Sequence, residues 1–202
     1  MLVIGLTGSI GMGKSTTAKL FEEQGLAVFD SDLCVHQLYA ADGAATEIFR
    51  LNPSLRKTVK KDNKGRFFVD RTKLKEMFFK DLSLKKQVEE IVHGLVRASQ
   101  SAFIAEARRA GYKAVVLDIP LLYEVGAEKR CDVVCVVTAP KSVQKKRVMA
   151  RDGMTQERFN HILKSQITDA EKRRRADFII NTGLGIAKAR QQVKAVLQDL
   201  KL

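Results

Sequence analysis

Residues 2–32 read LVIGLTGSIGMGKSTTAKLFEEQGLAVFDSD, and they decide the fold class. Leu2–Thr7 is a short apolar run with β-branched residues, the pattern of a buried strand. Glycines follow at 8, 11 and 13, then a helical stretch from Lys14 to Gln24 that Gly25 can close. Leu26–Phe29 is a second strand, ending in Asp30-Ser31-Asp32. Strand, glycine loop, helix, strand is the opening of a parallel α/β sheet.

Within that opening, Gly8-Ser9-Ile10-Gly11-Met12-Gly13-Lys14-Ser15 fits G-x-x-x-x-G-K-[ST]. A tight turn between strand and helix aims successive backbone N–H groups at one point, and the helix terminus adds positive potential. Such a loop cradles a nucleoside triphosphate. Lys14 would reach the β- and γ-phosphates, and Ser15 would ligate Mg²⁺. Asp30 and Asp32 follow a strand whose C-terminal end lies beside the loop in a parallel sheet. A carboxylate there can take the proton of an attacking hydroxyl, or it can simply cap the next helix.

The sheet pattern is interrupted and then resumes. Residues 42–111 lack a strand-like run of comparable quality. Leu74, Met77, Phe78, Leu82, Val88, Ile91, Val92 and Leu95 recur at helical steps, so the stretch reads as a helical insertion with Phe67-Phe68 and Phe78-Phe79 in its core. Lys113–Asp118 is a buried strand whose terminal carboxylate, Asp118, would hold Mg²⁺ through water. Asp132–Thr138 is another strand, with a helix after Pro140. Residues 151–175 are polar and basic, with a helix near 156–166. Ala176–Ile180 is a last strand, and Ile186, Ala189, Val193, Val196, Leu197 and Leu200 outline a closing helix. The expected layout is a nucleotide-binding core of 1–41 and 112–202, with a lid at about 150–175, and a substrate-binding insertion of 42–111.

Composition narrows the alternatives. With 45% apolar and 29% charged residues the chain is globular in composition. Three cysteines exclude a disulfide framework and suit a reducing compartment, hence the cytoplasm. Cys131 and Cys135 are four apart but have no second pair to complete a zinc site. No apolar run approaches the roughly 18 residues of a membrane span, and Met1–Gly11 lacks a basic leader. His36 and His161 show no partner pattern. The formal charge of +13 admits nucleic acid, an anionic membrane surface or small anions. Residues 50–80 hold 11 basic and 3 acidic side chains, and residues 141–175 hold 11 and 4. The excess therefore sits in the insertion and the lid region, where small polyphosphate substrates would bind. This argues against nucleic acid or membrane as the partner. Lys172-Arg173-Arg174-Arg175 could neutralise phosphoryl charge or form a solvated face. A guanine-reading N-K-x-D is missing, which argues against a GTPase.

Taken in order, these stretches resemble the dephospho-coenzyme A kinase family. The resemblance rests on the loop with Asp30-Ser31-Asp32, on Asp70-Arg71 with Leu74, and on Ile91-Val92-His93. It continues through Asp118-Ile119-Pro120-Leu121-Leu122-Tyr123-Glu124, Arg147 with Arg151-Asp152, and Ala176-Asp177-Phe178 with Thr182-Gly183. It implies a P-loop kinase: a parallel sheet flanked by helices, with a helical coenzyme A insertion and a small lid. It implies transfer of the γ-phosphoryl of ATP to the ribose 3′-hydroxyl of dephospho-coenzyme A, the last step of coenzyme A synthesis. The sequence does not fix the oligomeric state, and a monomer is the favoured expectation. By that resemblance Asp32 is the catalytic carboxylate, assisted by Lys14. Gly11, Met12, Gly13, Lys14, Ser15 and Thr16 bind ATP, Arg147 reaches it from the lid base, and Arg71 and His93 face the substrate. Gly94 stands where the family has Pro, and Asn181 where it often has Asp. The competing expectations are another P-loop nucleotide or metabolite kinase, or a nucleic-acid-binding P-loop protein.

Overall fold

A computed structural model describes residues 1–40 and 43–202 in full, and of Asp42 the backbone. In chain order it forms β1 (Leu2–Thr7), α1 (Lys14–Glu22), β2 (Ala27–Asp30), α2 (Ser31–Ala40) and α3 (Asp42–Leu51). The hairpin strands β3 (Val59–Lys61) and β4 (Phe67–Val69), then α4 (Arg71–Lys80) and α5 (Leu82–Arg109), come next. The chain closes with β5 (Ala114–Asp118), β6 (Val133–Thr138), α6 (Lys141–Met149), α7 (Gln156–Lys164), α8 (Asp169–Arg175), β7 (Phe178–Asn181) and α9 (Ile186–Asp199). Two compact units result: residues 1–30 with 104–202, and residues 31–103. The sequence reading set its boundaries at 41/42 and 111/112; the first touches residue 41, which lies outside the described residues.

The first unit is built on a five-stranded sheet of order β2-β5-β1-β6-β7, parallel throughout. Alternation along the strands gives the sheet two buried faces. On one, Ile4, Leu6, Val116, Cys135, Val137 and Ile180 pack with Leu20 and Phe21 of α1 and Val193, Val196 and Leu197 of α9. Because all five strands run the same way, their C-terminal ends form one edge. Asp30 and Asp118 are in register there, as are Thr138 and Asn181. The loop after β1 opens on that edge.

The second unit is mostly helical, as its periodicity implies, but it also contains the β3–β4 hairpin, antiparallel with Val59 opposite Val69. Its strands are three residues each, too short for an alternation to register in sequence. Asp62 holds the turn by accepting from the N–H groups of Lys64 and Arg66. The phenylalanine pairs expected in the insertion core are not buried there: Phe68 and Phe78 are half-buried and their neighbours face out. Phe79 is 88% exposed and Phe67 is exposed beneath the Lys61 ammonium, whereas Leu74, Leu84 and Val88 are buried. A two-stranded ribbon and a short helix each bury only one side, so adjacent aromatics cannot both be inside. Among the described residues, no helix is long and apolar enough to cross a membrane.

Candidate active site

The loop between β1 and α1 is shaped by two glycines with positive φ, Gly11 at 77° and Gly13 at 93°. A side chain at either would be strained, and it would also collide: with Val148 at Gly11, and with the Thr182 hydroxyl 2.9 Å away at Gly13. Gly13 caps α1, so the first N–H groups of the helix have no partner within it. Lys14 leaves this first turn and donates to Asp118 Oδ1 at 2.6 Å. Asp118 ends β5, the strand beside β1, and is almost fully buried. The glycine loop, the lysine and the strand-end carboxylate therefore meet at the C-terminal edge of the sheet. Ser15 and Thr16 stand exposed on the same first turn.

Arg147, on α6, spends its guanidinium on Thr182. Nη1 donates to the Thr182 hydroxyl at 2.8 Å and Nη2 to its carbonyl at 2.9 Å. That hydroxyl in turn donates to the Met12 carbonyl at 2.6 Å. The arginine thus reaches the phosphate loop through Thr182, a residue to which the sequence assigns no role of its own. Asn181 uses its side chain to accept from Gly183 N–H.

The basic run 172–175 is met by carboxylates. Lys172 is fully buried and donates to Glu124 at 2.8 Å. Arg173 pairs with Asp169, Arg174 with Glu171 and Arg175 with Glu128, while Arg175 also covers the Tyr123 ring. Hydrogen bonding to Arg174 holds the Glu171 carboxyl below its usual range. Burial pushes the Cys131 and Cys135 thiols up to about 11 and about 12.

In the second unit, α2 starts at Ser31 directly after β2, and Asp32 is exposed in its first turn. His36 and Tyr39 follow on the same helical face. Arg71 opens α4, whose cap is Asp70: the carboxylate accepts from the N–H groups of Thr72 and Lys73 and pairs with Lys60 at 2.6 Å. The Lys60 hydrogen bond, then the cap, lower the Asp70 carboxyl below its usual range. So placed, Arg71 lies 3.5 Å from His36 Nδ1 and over the Tyr39 ring. Burial raises the Tyr39 hydroxyl, Arg71 opposes this and Glu89 adds to it, so Glu89 of α5 borders the same cluster. His93 is exposed one turn further along α5. The structure brings Asp32 and Arg71 to one neighbourhood through His36, a residue without a signal in sequence beyond its four-residue step from Asp32.

The dephospho-CoA kinase family model matches residues 2–188. The chain belongs to the dephospho-CoA kinase family. It is a kinase that uses ATP to phosphorylate dephospho-CoA in coenzyme A biosynthesis. It is 49% identical over 201 residues to the dephospho-CoA kinase of Mesorhizobium japonicum, covering 100% of this chain and 98% of that one. The Agrobacterium fabrum enzyme is 50% identical over 200 residues, with 99% and 98% covered. The solved dephospho-CoA kinase of Campylobacter jejuni superposes with a TM-score of 0.72 at 30% identity, covering 98% and 96%. A shikimate kinase from Acinetobacter baumannii, at 20% identity and a TM-score of 0.53 over 98% and 94%, shares the P-loop kinase fold.

Proposed function

We propose that the acceptor is the ribose 3′-hydroxyl of dephospho-coenzyme A, and that Asp32 is the group that takes its proton. The hydroxyl oxygen forms a bond to the γ-phosphorus of ATP, the bond from that phosphorus to the β–γ bridging oxygen breaks, and ADP leaves. The proton passes to the Asp32 carboxylate. Gly11–Thr16 bind the phosphates through backbone N–H groups, and Lys14 carries positive charge to the β- and γ-oxygens. Arg147 adds charge from the base of the 150–175 lid. In the 31–103 unit, Arg71 and His93 hold the acceptor, with His36 and Tyr39 setting the angle of the Arg71 guanidinium.

The donor set fits Mg²⁺. Among the described residues no cluster of three or more His, Cys, Asp or Glu side chains could cage a metal. The exposed Ser15 hydroxyl and the Asp118 carboxylate at one sheet edge instead match an ion that is held largely by the phosphates. When bound, Mg²⁺ would neutralise charge on the β- and γ-phosphates.

The observation that carries this reading is the Lys14–Asp118 contact at the mouth of the glycine loop. The test is a coupled assay of ADP release. Asp32→Asn is expected to lower kcat at least about 100-fold, the range of a lost general base, with KM for ATP little changed. Retained turnover would make Asp32 a purely structural residue of the first turn of α2. Turnover of a nucleoside monophosphate but not of dephospho-coenzyme A would overturn the acceptor.

A further inference from the structure

The phosphate loop is gripped from outside at alternate carbonyls. Gln144 of α6, itself buried, donates from Nε2 to the Ile10 carbonyl at 2.8 Å. Thr182, buried after β7, donates to the Met12 carbonyl at 2.6 Å and is held by Arg147, one turn along α6 from Gln144. Gln166, just after α7, accepts from Ile10 N–H at 3.3 Å. These roles follow from backbone chemistry: a carbonyl needs a donor, and an N–H needs an acceptor.

In a trans peptide the C=O and the following N–H point in opposite directions. A carbonyl drawn outward at Ile10 therefore turns Gly11 N–H inward, and one drawn outward at Met12 turns Gly13 N–H inward. Each of these two peptide planes leads into a glycine of positive φ, where no Cβ restrains the backbone. The fixing comes from α6 and the β7 turn, more than 130 residues away in sequence.

We infer that Gln144 and Thr182 are positioning residues for ATP: they aim the Gly11 and Gly13 N–H groups at the phosphates, and Arg147 acts on the loop through Thr182. This rests on the reading of Gly8–Ser15 as the phosphate site. Neither side chain touches substrate in this scheme. Loss of either hydrogen bond should weaken nucleotide binding and leave the acceptor site alone.

The test uses Gln144→Met, which removes the donor at similar length without adding charge, together with Thr182→Val and Thr182→Ser, and Lys14→Ala run in parallel. Binding of a non-hydrolysable ATP analogue, KM for each substrate and the thermal midpoint are measured on the full chain. Gln144→Met and Thr182→Val are expected to weaken analogue binding about tenfold each, the scale of one well-placed hydrogen bond. KM for dephospho-coenzyme A should stay within about twofold, and Thr182→Ser should restore wild-type binding. Wild-type analogue binding by Gln144→Met and Thr182→Val, with Lys14→Ala impaired, would overturn the inference and spare the loop. Wild-type binding by Lys14→Ala as well would overturn the loop reading itself. A lowered thermal midpoint with both KM values raised alike, unrescued by serine, would mark the two residues as merely structural and overturn the inference too.

Discussion

Lys14 is 15% exposed and Asp118 2%, so their 2.6 Å contact is a nearly buried ion pair. Removing one partner from such a pair leaves the other charge less well compensated, which typically costs more than the pair contributes. Lys14→Ala should therefore lose about 3 kcal/mol of unfolding free energy in addition to ATP affinity. Adding Asp118→Asn removes the carboxylate charge that Lys14 faced, so the double variant should be more stable than the sum of the two single losses by at least about 1 kcal/mol. Urea unfolding of the four proteins measures this coupling, and strict additivity would show that each group is satisfied elsewhere. The residues of this pair were legible because the loop is a contiguous motif and Asp118 ends an apolar run. Thr182, Gln144 and His36 were not, because their roles lie in partners 35 to 170 positions away. A hydroxyl or amide in a turn or helix carries no local mark of the carbonyl it will meet.

At the scale of elements, α5 runs unbroken from Leu82 to Arg109 and passes through Gly94. A proline at that site would remove a backbone donor and clash with the preceding turn, whereas glycine leaves the helix continuous. A Cβ at Gly94 would meet only the end of the Arg97 side chain at 3.8 Å, an ordinary contact. Gly94→Ala should thus stabilise the protein by about 0.5–1 kcal/mol, the difference in helix propensity. Gly94→Pro should cost about 3 kcal/mol. Chemical denaturation distinguishes the two. A destabilised alanine variant would mean that the position faces something other than open space. The strands β1, β5 and β6 were readable for the converse reason: each is an unmixed apolar run buried on both faces. The β3–β4 hairpin offers only three residues per strand. The helix α8 was read as a charge run, although its Lys172 is fully buried against Glu124. A lysine inside a basic tetrad gives no sequence cue that it will be the one to point inward.

For the molecule as a whole, the ion pairs of the structure leave the charge imbalance in place. Lys60–Asp70 and Arg66–Asp62 lie within residues 50–80, and Arg173–Asp169 and Arg174–Glu171 within 141–175. These pairings are already counted in net charges of +8 and +7 for the two segments, which leaves −2 for the remainder of the +13 chain. One segment belongs to each compact unit, and each of the two substrates is a polyanion. Exposed charges act over roughly a Debye length, about 10 Å at 0.1 M salt and about 30 Å at 0.01 M. Diffusional capture of both substrates should then weaken as salt rises, while the chemical step, at a partly buried site, should respond less. The expected result is a several-fold fall in kcat/KM for ATP and for dephospho-coenzyme A between about 0.01 and 0.3 M potassium chloride. The kcat value should change by less than about twofold. Neutral osmolyte at matched osmolality serves as the control. Charge reversal of exposed lysines in 50–80 should flatten the dependence for dephospho-coenzyme A and leave that for ATP. Equal flattening for both substrates would show that the field acts globally and that the two segments are not matched to separate ligands.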